Sequence, residues 1–423
     1  RFDVPVVPRG AGTGLSGGAV AAVGGIVVAL TRMKRILEID VINRIAVVEP
    51  GVVNLDLSRA VEPYGLFYAP DPSSQRACTI GGNVAENAGG PHCLAYGATT
   101  NHVLGVEVVL ADGSVAWLGG RNRDVPGYDL TGAFVGSEGT LGIATKVVVR
   151  LAPIPESTRT LLAIFDRIDD ASNTVSQIIA AGIVPSALEM MDRNIIAAVE
   201  PVLHAGFPLD AEAVLLIEVD GLEESTAEHA DAVESICRAN AAREVRIAAD
   251  APDRERLWAG RKTSISALGR LYPNYYVLDG VVPRTRLVDV LRQTYAIAEK
   301  YGLAVANVFH AGDGNLHPNL LFDERDPGVT GKVLAAGAEI MRLCVDAGGS
   351  ITGEHGVGLE KRDFIGWIFD DDDLRVMSSL KVAFGAHERY NPCKAFPTHR
   401  GCGEVTSAQV QRVAAAVGAD IYV

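Results

Sequence analysis

Residues 8–18 read PRGAGTGLSGG, and the backbone that such a run adopts limits what the first third of the chain can fold into. Gly12, Gly14 and Gly17 have the spacing of the dinucleotide-binding fingerprint, which requires a helix directly after the loop. The chain instead continues as AVAAVGGIVVAL, which is too short and too interrupted by glycine for that helix. This context argues against a Rossmann fold. It leaves a nest of backbone N–H groups around a phosphate, or a glycine-rich turn without a ligand.

Two further segments of small residues follow, at 69–90 (APDPSSQRACTIGGNVAENAGG) and at 136–145 (GSEGTLGIAT). Small side chains let a large planar ligand lie directly against the backbone. A purely structural domain has little use for three such segments, so we expect a ligand site.

Net charge and the length of the apolar runs limit the classes of function that the chain can have. The 52 acidic side chains outnumber the 38 basic ones, and a net charge of −14 argues against nucleic-acid binding. An anionic substrate must therefore be held by a few local cations. No apolar run approaches the ~20 residues that span a bilayer, and no signal peptide is visible, so we predict a cytoplasmic protein without a transmembrane segment. The chain opens inside a predicted strand, and we expect an upstream segment to be missing.

The pattern of elements predicts an α+β protein of more than one domain, since 423 residues exceed one ordinary core. Residues 1–155 read as short strands, a helix at 54–64 and a hairpin at 102–119. From 156 to 400 strands alternate with helices, and 401–423 form a tail. The helices of the second part are predicted at 169–181, 223–240, 253–270, 285–301, 328–347 and 373–385.

Two histidines flank a glycine turn in VFHAGDGNLHPN. The preceding apolar LAVANVF predicts a buried strand ending near His310, and the return brings His317 beside it. GSITGEHGVG adds Glu354 on a second glycine-flanked turn. Two histidines and a carboxylate with an open position form the ligand set of a catalytic divalent metal. The alternative is a hydrogen-bonded core cluster.

The three glycine segments resemble the FAD-binding domain of the vanillyl-alcohol oxidase (PCMH-type) flavoprotein superfamily. Further along, ALEMMD, WAGRK, VANVFHAGDGNLHP, GGSITGEHGVGLEK and NPCKAFP resemble the flavin subunit of bacterial glycolate oxidases and the related D-lactate and D-2-hydroxyglutarate dehydrogenases. The resemblance implies a PCMH-type FAD-binding domain, a ferredoxin-like α+β substrate domain and a C-terminal helical return.

The resemblance also implies where FAD binds, with its pyrophosphate in the first glycine loop. The implied FAD-binding residues are Pro8, Arg9, Gly10, Ala11, Gly12, Thr13, Gly14, Ser16, Gly17, Gly18, Pro70, Asp71, Ser73, Thr79, Gly81, Gly82, Asn83, Asn87, Gly89, Gly90, Tyr96, Gly97, Gly136, Glu138, Gly139, Gly142, Ile143 and Asn391. The first loop has no histidine, which favours non-covalent FAD, with His92 and Cys93 as the alternative attachment points.

Oxidation of a 2-hydroxy acid requires a base for the hydroxyl proton, and neutral imidazole suits pH 7. We assign His355 to this role, with an outer hydrogen bond to Glu354 as its alternative. By resemblance Arg261 binds the substrate carboxylate and Asn319 hydrogen-bonds the substrate. The alternative for Arg261 is a helix-surface arginine.

The sequence thus predicts FAD-dependent oxidation of a small D-2-hydroxy acid, glycolate to glyoxylate or D-lactate. A D-2-hydroxyglutarate dehydrogenase and an inactive flavoprotein or electron-transfer subunit are the alternatives. The D-2-hydroxyglutarate enzymes carry a lysine near YYVLDG that is not seen here. No CxxCxxC run for an iron–sulfur cluster is present, so electrons must leave through another protein, a quinone, a dye or oxygen. The resemblance implies a separate iron–sulfur subunit as electron acceptor, with a quinone as the alternative. Peripheral attachment at the inner face of the plasma membrane is the alternative to a purely cytoplasmic location.

Overall fold

The computed structural model describes residues 4–123, 125–386 and 389–395, so the predicted tail at 401–423 lies outside the described residues. The strands are β1 Val6–Arg9, β2 Ile26–Ala29, β3 Ile36–Asp40, β4 Ile45–Val48, β5 Leu66–Phe67, β6 Val103–Val109, β7 Val115–Gly119, β8 Ile143–Arg150, β9 Ala152–Pro153, β10 Ser157–Phe165, β11 Ala187–Asp192, β12 Ala213–Gly221, β13 Glu244–Ile247, β14 Asn274–Val277, β15 Gly280–Val281, β16 Ala304–His310, β17 Asn315–Leu316 and β18 Pro318–Phe322. The α-helices are α1 Asn54–Val61, α2 Ile80–Glu86, α3 Cys93–Tyr96, α4 Leu130–Phe134, α5 Ile168–Ala180, α6 Arg193–Leu203, α7 Glu223–Ala239, α8 Ala251–Lys262, α9 Ser264–Ala267, α10 Leu287–Tyr301, α11 Val329–Asp346 and α12 Asp371–Ala383.

The N-terminal part is built on a five-stranded antiparallel sheet in the order β3-β4-β8-β6-β7. Its inward side chains, such as Val106 and Val147, pack with Leu57 of α1 and Ile80 of α2 in one core. Beside it, β1 and β2 pair in parallel, and the segment that joins them contains the first glycine loop. No helix lies between β1 and β2, which agrees with the sequence argument against a Rossmann fold.

The second part is a nine-stranded sheet whose central order is β13-β10-β12-β11-β16-β17-β15, with β14 and β18 attached through β16. In β10, Leu161 and Phe165 belong to one core cluster while Leu162 and Ile164 belong to another. Because both faces of this strand are covered, its sequence reads as an unbroken apolar run rather than an alternation. Five of the six helices predicted in this part form within a few residues of their expected ends, as α5, α7, α10, α11 and α12. The helix predicted at 253–270 is instead divided into α8, α9 and a 3₁₀ turn at Leu268–Arg270.

The C-terminal residues return to the first core. Phe384, Ala386 and Tyr390 pack with the core of the five-stranded sheet. Val6 N–H donates to the carbonyl of Arg389 at 2.7 Å, which fixes the start of β1. Within the described residues, no helix is long and apolar enough to cross a membrane.

A buried carboxylate on β12 joins the two parts. Glu218 accepts hydrogen bonds from Thr160, Arg254 and Trp258, at 2.6 to 2.8 Å. His92, from the first part, places Nε2 3.3 Å from Glu218 and Nδ1 2.8 Å from Asp71, and its ring stacks on Trp258. Burial opposes a charge on His92, but the carboxylates of Asp71 and Glu218 outweigh burial and raise its pKa to about 10.

We predict that the contribution of His92 to stability depends on pH. A folded-state pKa of about 10 lies above the ordinary 6.5, so the stabilisation is complete below 6.5 and is lost as pH rises toward 10. His92→Phe keeps a ring against Trp258 but no hydrogen bond, and should lower the free energy of unfolding by about 2 kcal/mol at low pH. The deficit should shrink with rising pH in denaturant melts. His229→Phe, at an exposed histidine of α7, is the matched control; a pH-independent deficit for His92→Phe would contradict the prediction.

Candidate active site

A cavity of about 450 Å³ opens between the glycine loops of the first part and the histidine cluster of the second. Among the predicted FAD-binding residues, its walls contain Pro8, Arg9, Gly10, Ala11, Gly12, Thr13, Gly14, Gly18, Ser73, Thr79, Gly81, Gly82, Asn83, Gly89, Glu138, Gly139, Gly142 and Ile143. The same walls contain Arg261, His310, His317, Glu354 and His355. Predicted site residues that are more than 100 positions apart in the sequence therefore face one space.

Glycine is required in the wall formed by the first loop. Gly12 has φ +76°, and a Cβ there would lie 2.6 Å from Nη2 of Arg9. A Cβ on Gly10 would lie 2.5 Å from Oγ1 of Thr79, the residue that caps α2. The loop thus lies flat on α2 and presents backbone to the cavity, as a nest for an anionic group requires.

Eleven predicted site residues do not line the cavity, namely Ser16, Gly17, Pro70, Asp71, Asn87, Gly90, Tyr96, Gly97, Gly136, Asn319 and Asn391. Some of them support the walls. Asn391 donates through Nδ2 to the carbonyls of Gly18 and Glu138, at 2.8 and 2.6 Å. Asn319 is fully buried and donates through Nδ2 to the carbonyls of Ala306 and His317, at 3.1 and 2.8 Å. This arrangement gives Asn319 a structural role behind His317 and does not bring it to the cavity.

The histidine cluster is assembled from the end of β16, the turn before β18 and the loop after α11. Nε2 of His310 and Nε2 of His317 lie 3.2 and 3.1 Å from Oε1 of Glu354. The ring of His355 stacks on that of His317 with centroids 4.9 Å apart. The predicted hairpin return therefore does place the two histidines side by side.

Asp279, which the sequence analysis missed, positions the loop that carries Glu354 and His355. Its buried carboxylate accepts the backbone N–H groups of Gly353, Glu354 and His355, at 3.1, 3.3 and 2.9 Å. Nζ of Lys361 lies 3.0 Å from the same carboxylate. Burial opposes the charge on Asp279, but Lys361 and the nearby histidines hold its pKa below the ordinary value.

Glu189 is the second missed residue. It is fully buried in β11 and accepts from Nε of Arg261 at 2.7 Å, while Nδ1 of His310 lies 2.8 Å from it. Arg261 is only 3% exposed and lines the cavity, so the alternative of a helix-surface arginine is wrong. The sequence signal for Glu189 was a single glutamate inside the apolar run ALEMMD. Its partner His310 lies 121 positions away in the sequence.

The electrostatics of the cluster favour a positive charge at its centre. Burial opposes a charge on His310, but Glu189 and Glu354 outweigh burial and raise its pKa well above the ordinary value. Burial likewise opposes the charge of Glu354, yet His310 and His317 lower its pKa well below the ordinary value. Burial lowers the pKa of His355 to about 4, so this imidazole is neutral at physiological pH.

The donor set also fits a divalent metal. One ligand atom from each of His310, His317 and Glu354 lies within 4.8 Å of the others. Nε2 of His317 is buried 3.1 Å from Glu354 without hydrogen-bond geometry, and it has no other hydrogen-bond partner within the described residues. Imidazole nitrogen and carboxylate oxygen converging on one point are the donors that zinc and the first-row metals accept.

A cavity walled on one side by backbone and on the other by buried acid–base groups can hold a large planar cofactor beside a reacting substrate. Residues 1–119 match the family described as FAD binding domain, and residues 154–395 match FAD linked oxidases, C-terminal domain. The chain belongs to the FAD-linked oxidase family. The sequence-based expectation of an FAD-dependent enzyme is thereby confirmed.

Relatives from several organisms resemble nearly the whole chain. The glycolate oxidase subunit GlcD of Escherichia coli (strain K12) is 49% identical over 97% of this chain and 82% of that protein. GlcD of Bacillus subtilis (strain 168) is 45% identical over 93% of this chain and 84% of that protein. A D-lactate dehydrogenase of Archaeoglobus fulgidus is 35% identical over 93% of this chain and 86% of that protein.

A solved structure supports the fold. p-Cresol methylhydroxylase with substrate bound has a TM-score of 0.77 at 18% identity, covering 93% of this chain and 84% of that chain. Identity this low concerns the fold alone. It confirms the predicted α+β architecture with a PCMH-type FAD-binding domain.

We predict that a side chain at Gly12 or Gly14 removes FAD. Gly12→Val strains a positive φ and displaces Arg9, whereas a Cβ on Gly14 meets no atom closer than 3.8 Å and can only obstruct the ligand. FAD released by acid precipitation should fall more than about 10-fold per mole of protein in both variants.

The matched control is Gly113→Val in the turn between β6 and β7. Gly113 has φ +88° with no atom within 4 Å of its Cβ position, so this variant carries similar strain without a ligand nearby. It should lose stability and keep FAD. Full FAD content in Gly12→Val and Gly14→Val would mean that the cofactor does not contact this loop.

Proposed function

We propose that this protein oxidises a small D-2-hydroxy acid, glycolate or D-lactate, and transfers hydride from C2 of the substrate to FAD. The observation that carries the proposal is the opening of the His310, His317, Glu354 and His355 cluster into the same cavity as the glycine loops. Relatives named as a glycolate oxidase subunit and as D-lactate dehydrogenase support this substrate class.

Arg261 is proposed to hold the substrate carboxylate. Nε and Nη2 point to Glu189, and Nη1 makes no hydrogen bond within the described part of the chain. The guanidinium therefore keeps N–H donors for a second carboxylate at the cavity wall. Glu189 offsets the positive charge of Arg261 and fixes the plane of its guanidinium. The substrate carboxylate therefore meets N–H donors that are already oriented.

His310, His317 and Glu354 are proposed to hold a divalent ion, zinc, manganese or iron. The bound ion would act as a Lewis acid that acidifies the substrate hydroxyl, while FAD supplies the hydride acceptor. The cluster residues hold the hydroxyl end of the substrate at one point of the cavity, and Arg261 holds the carboxylate. Two fixed ends orient the C2 hydrogen in a single direction.

His355 is proposed as the base. Its Nδ1 lies 4.0 Å from Asp279 and its Nε2 lies 3.9 Å from Glu354, and neither nitrogen makes a hydrogen bond within the described residues. The neutral ring therefore has a lone pair free to accept the hydroxyl proton. Asp279 then faces the imidazolium that forms. A buried, weakly basic imidazole is adequate only when the hydroxyl is acidified, which is the reason for placing base and metal ligand on adjacent residues.

The FAD is proposed to be non-covalent. Both ring nitrogens of His92 face carboxylates, at 2.8 and 3.3 Å, so neither is available as a nucleophile. Burial raises the pKa of Cys93, the other alternative attachment point, and keeps it as an unreactive thiol. A separate iron–sulfur subunit or a quinone as electron acceptor, and a cytoplasmic place at the inner membrane face, stay predictions.

The proposal is tested by mixing the holoenzyme anaerobically with glycolate, D-lactate or D-2-hydroxyglutarate and recording the flavin absorbance. We expect rapid bleaching by glycolate or D-lactate and slow or no bleaching by D-2-hydroxyglutarate. Preference for D-2-hydroxyglutarate would support the alternative dehydrogenase, and no bleaching by any of them would support an electron-transfer role.

We predict that replacing any one of the three proposed metal ligands lowers both bound metal and turnover. His310→Ala, His317→Ala and Glu354→Gln should each lower bound metal and reduce turnover by more than about 100-fold, since a lost ligand removes the ion that polarises the hydroxyl. A chelator should reproduce the loss in the unaltered enzyme, and added divalent ion should reverse it. Metal content is measured by elemental analysis. His102→Asn, at a buried histidine outside the cavity, should keep its metal.

His355→Ala should behave differently from the ligand variants. Metal and FAD should remain, while reduction of the flavin by substrate slows by roughly 10²–10⁴-fold, the range for loss of a general base. Full metal and full turnover in His310→Ala and His317→Ala would instead identify a hydrogen-bonded core cluster.

A further inference from the structure

The exposed charged side chains of the active-site cavity are positive. Among the described residues that line it, the carboxylates of Glu86, Glu138 and Glu354 are buried or half-buried, whereas Arg9 and Lys262 are exposed. The chain as a whole carries a net charge of −14 and repels an anionic substrate. The two exposed cations therefore form a positive rim through which an anion can approach the cavity.

The two cations of the rim belong to different parts of the chain. Nη2 of Arg9 lies 2.6 Å from the position that a Cβ on Gly12 would occupy, so this guanidinium lies against the first glycine loop. Lys262 lies in the last turn of α8, directly after Arg261. Lys262 is thus the exposed cation on the side of the cavity that contains Arg261 and the histidine cluster.

Lys262 has a fixed position and no carboxylate partner. It forms no ion pair within the described residues, and its ammonium lies 5.6 Å from the centroid of the Trp258 ring. Trp258 is 6% exposed, donates from Nε1 to Glu218 at 2.7 Å and stacks on His92. An ammonium over a fixed ring keeps its N–H donors for an anion and loses little conformational freedom when the anion arrives.

The ordinary role of a cation in this position is to stabilise the end of the helix. Cations near a helix C-terminus offset the partial negative charge of the macrodipole, and α8 ends with Arg261 and Lys262. That role does not require a place in the cavity wall, yet both residues line it. Arg261 is buried and Lys262 is exposed, with Cα atoms about 3.8 Å apart. The two consecutive cations form a path along which a carboxylate can move inward.

We propose that Lys262 recruits the anionic substrate at the rim of the cavity and passes it to Arg261. This inference rests on the proposed function, because it requires a substrate carboxylate that binds Arg261. Lys262 acts before the chemical step and is a positioning residue for substrate entry. Its effect is electrostatic attraction, which depends on the charge of the side chain and weakens as ionic strength rises.

The test measures the second-order rate constant of flavin reduction at low substrate concentration, by anaerobic stopped-flow with whichever of glycolate and D-lactate reduces the holoenzyme faster. Lys262→Arg, Lys262→Gln and Lys262→Glu place a positive, a neutral and a negative side chain at the rim. At low ionic strength the Gln variant should be about 5-fold slower, the Glu variant about 25-fold slower and the Arg variant within about 2-fold of the unaltered enzyme. The differences should shrink toward unity in ~1 M salt, where the Debye length is about 3 Å.

The limiting rate at saturating substrate separates recruitment from catalysis. It should stay within about 2-fold of the unaltered enzyme in all three variants, because Arg261 holds the bound substrate. Lys332→Gln, at an exposed lysine of α11 outside the cavity wall, removes the same charge and should keep the second-order rate constant. A Lys262→Gln variant that loses thermal stability and keeps this constant would show the helix-end role alone.

Three results would overturn the inference and leave the proposed function standing. The first is an equal second-order rate constant for the unaltered enzyme and Lys262→Gln at low ionic strength. The second is a deficit that persists in high salt, since attraction at a distance is screened and direct contact is not. The third is loss of FAD from Lys262→Gln, which would assign the lysine to the cofactor. Absence of flavin reduction by any of the acids in the unaltered enzyme would instead overturn the proposed function and this inference with it.

Discussion

The active site depends on one buried carboxylate, Asp279. It is fully removed from water, and an isolated charge in that place would be prohibitive. Three consecutive backbone N–H groups and Lys361 compensate it, and the same bonds fix the direction in which Glu354 and His355 leave the backbone. The hydrogen bonds that compensate the buried charge of Asp279 therefore also fix the backbone of the loop. The backbone at Glu354 and His355 cannot move away without removing N–H groups that compensate this charge.

A second carboxylate holds the same loop from the other part of the chain. Glu138, in the third glycine segment, accepts the N–H groups of Val357 and Gly358, at 2.7 Å each. The loop is thus bonded to both sheets, directly before and after Gly356, where φ is +83°. The cavity exists only when the two parts are together, because its walls share this segment. Binding of FAD on one side and of substrate on the other would each favour the assembled arrangement.

The sequence predicted what is local and missed what is distant. The predictions of α7 and of the apolar strand before His310 were correct because the local sequence pattern and the tertiary packing favour the same structure. Helix α2 was missed, since its seven residues include two glycines, and it is stabilised by the Thr79 cap and by the burial of Ile80 and Val84. The turns that carry the histidines could be predicted because glycines beside them mark tight turns. Glu189 and Asp279 could not, because a single acid inside an apolar run reveals its role only through partners far along the chain.

The net charge of the histidine cluster bears on whether a proton or a metal ion lies among His310, His317 and Glu354. Glu189 and Glu354 flank His310, and Arg261 forms its ion pair with Glu189. The remaining negative charge must be neutralised by a proton on His310 or by a cation among His310, His317 and Glu354. A proton would occupy His310 alone and would leave Nε2 of His317 buried beside Glu354 without a bond of its own. A cation shared by the three groups satisfies all of them at once. On this ground we propose a shared cation rather than the hydrogen-bonded cluster alone.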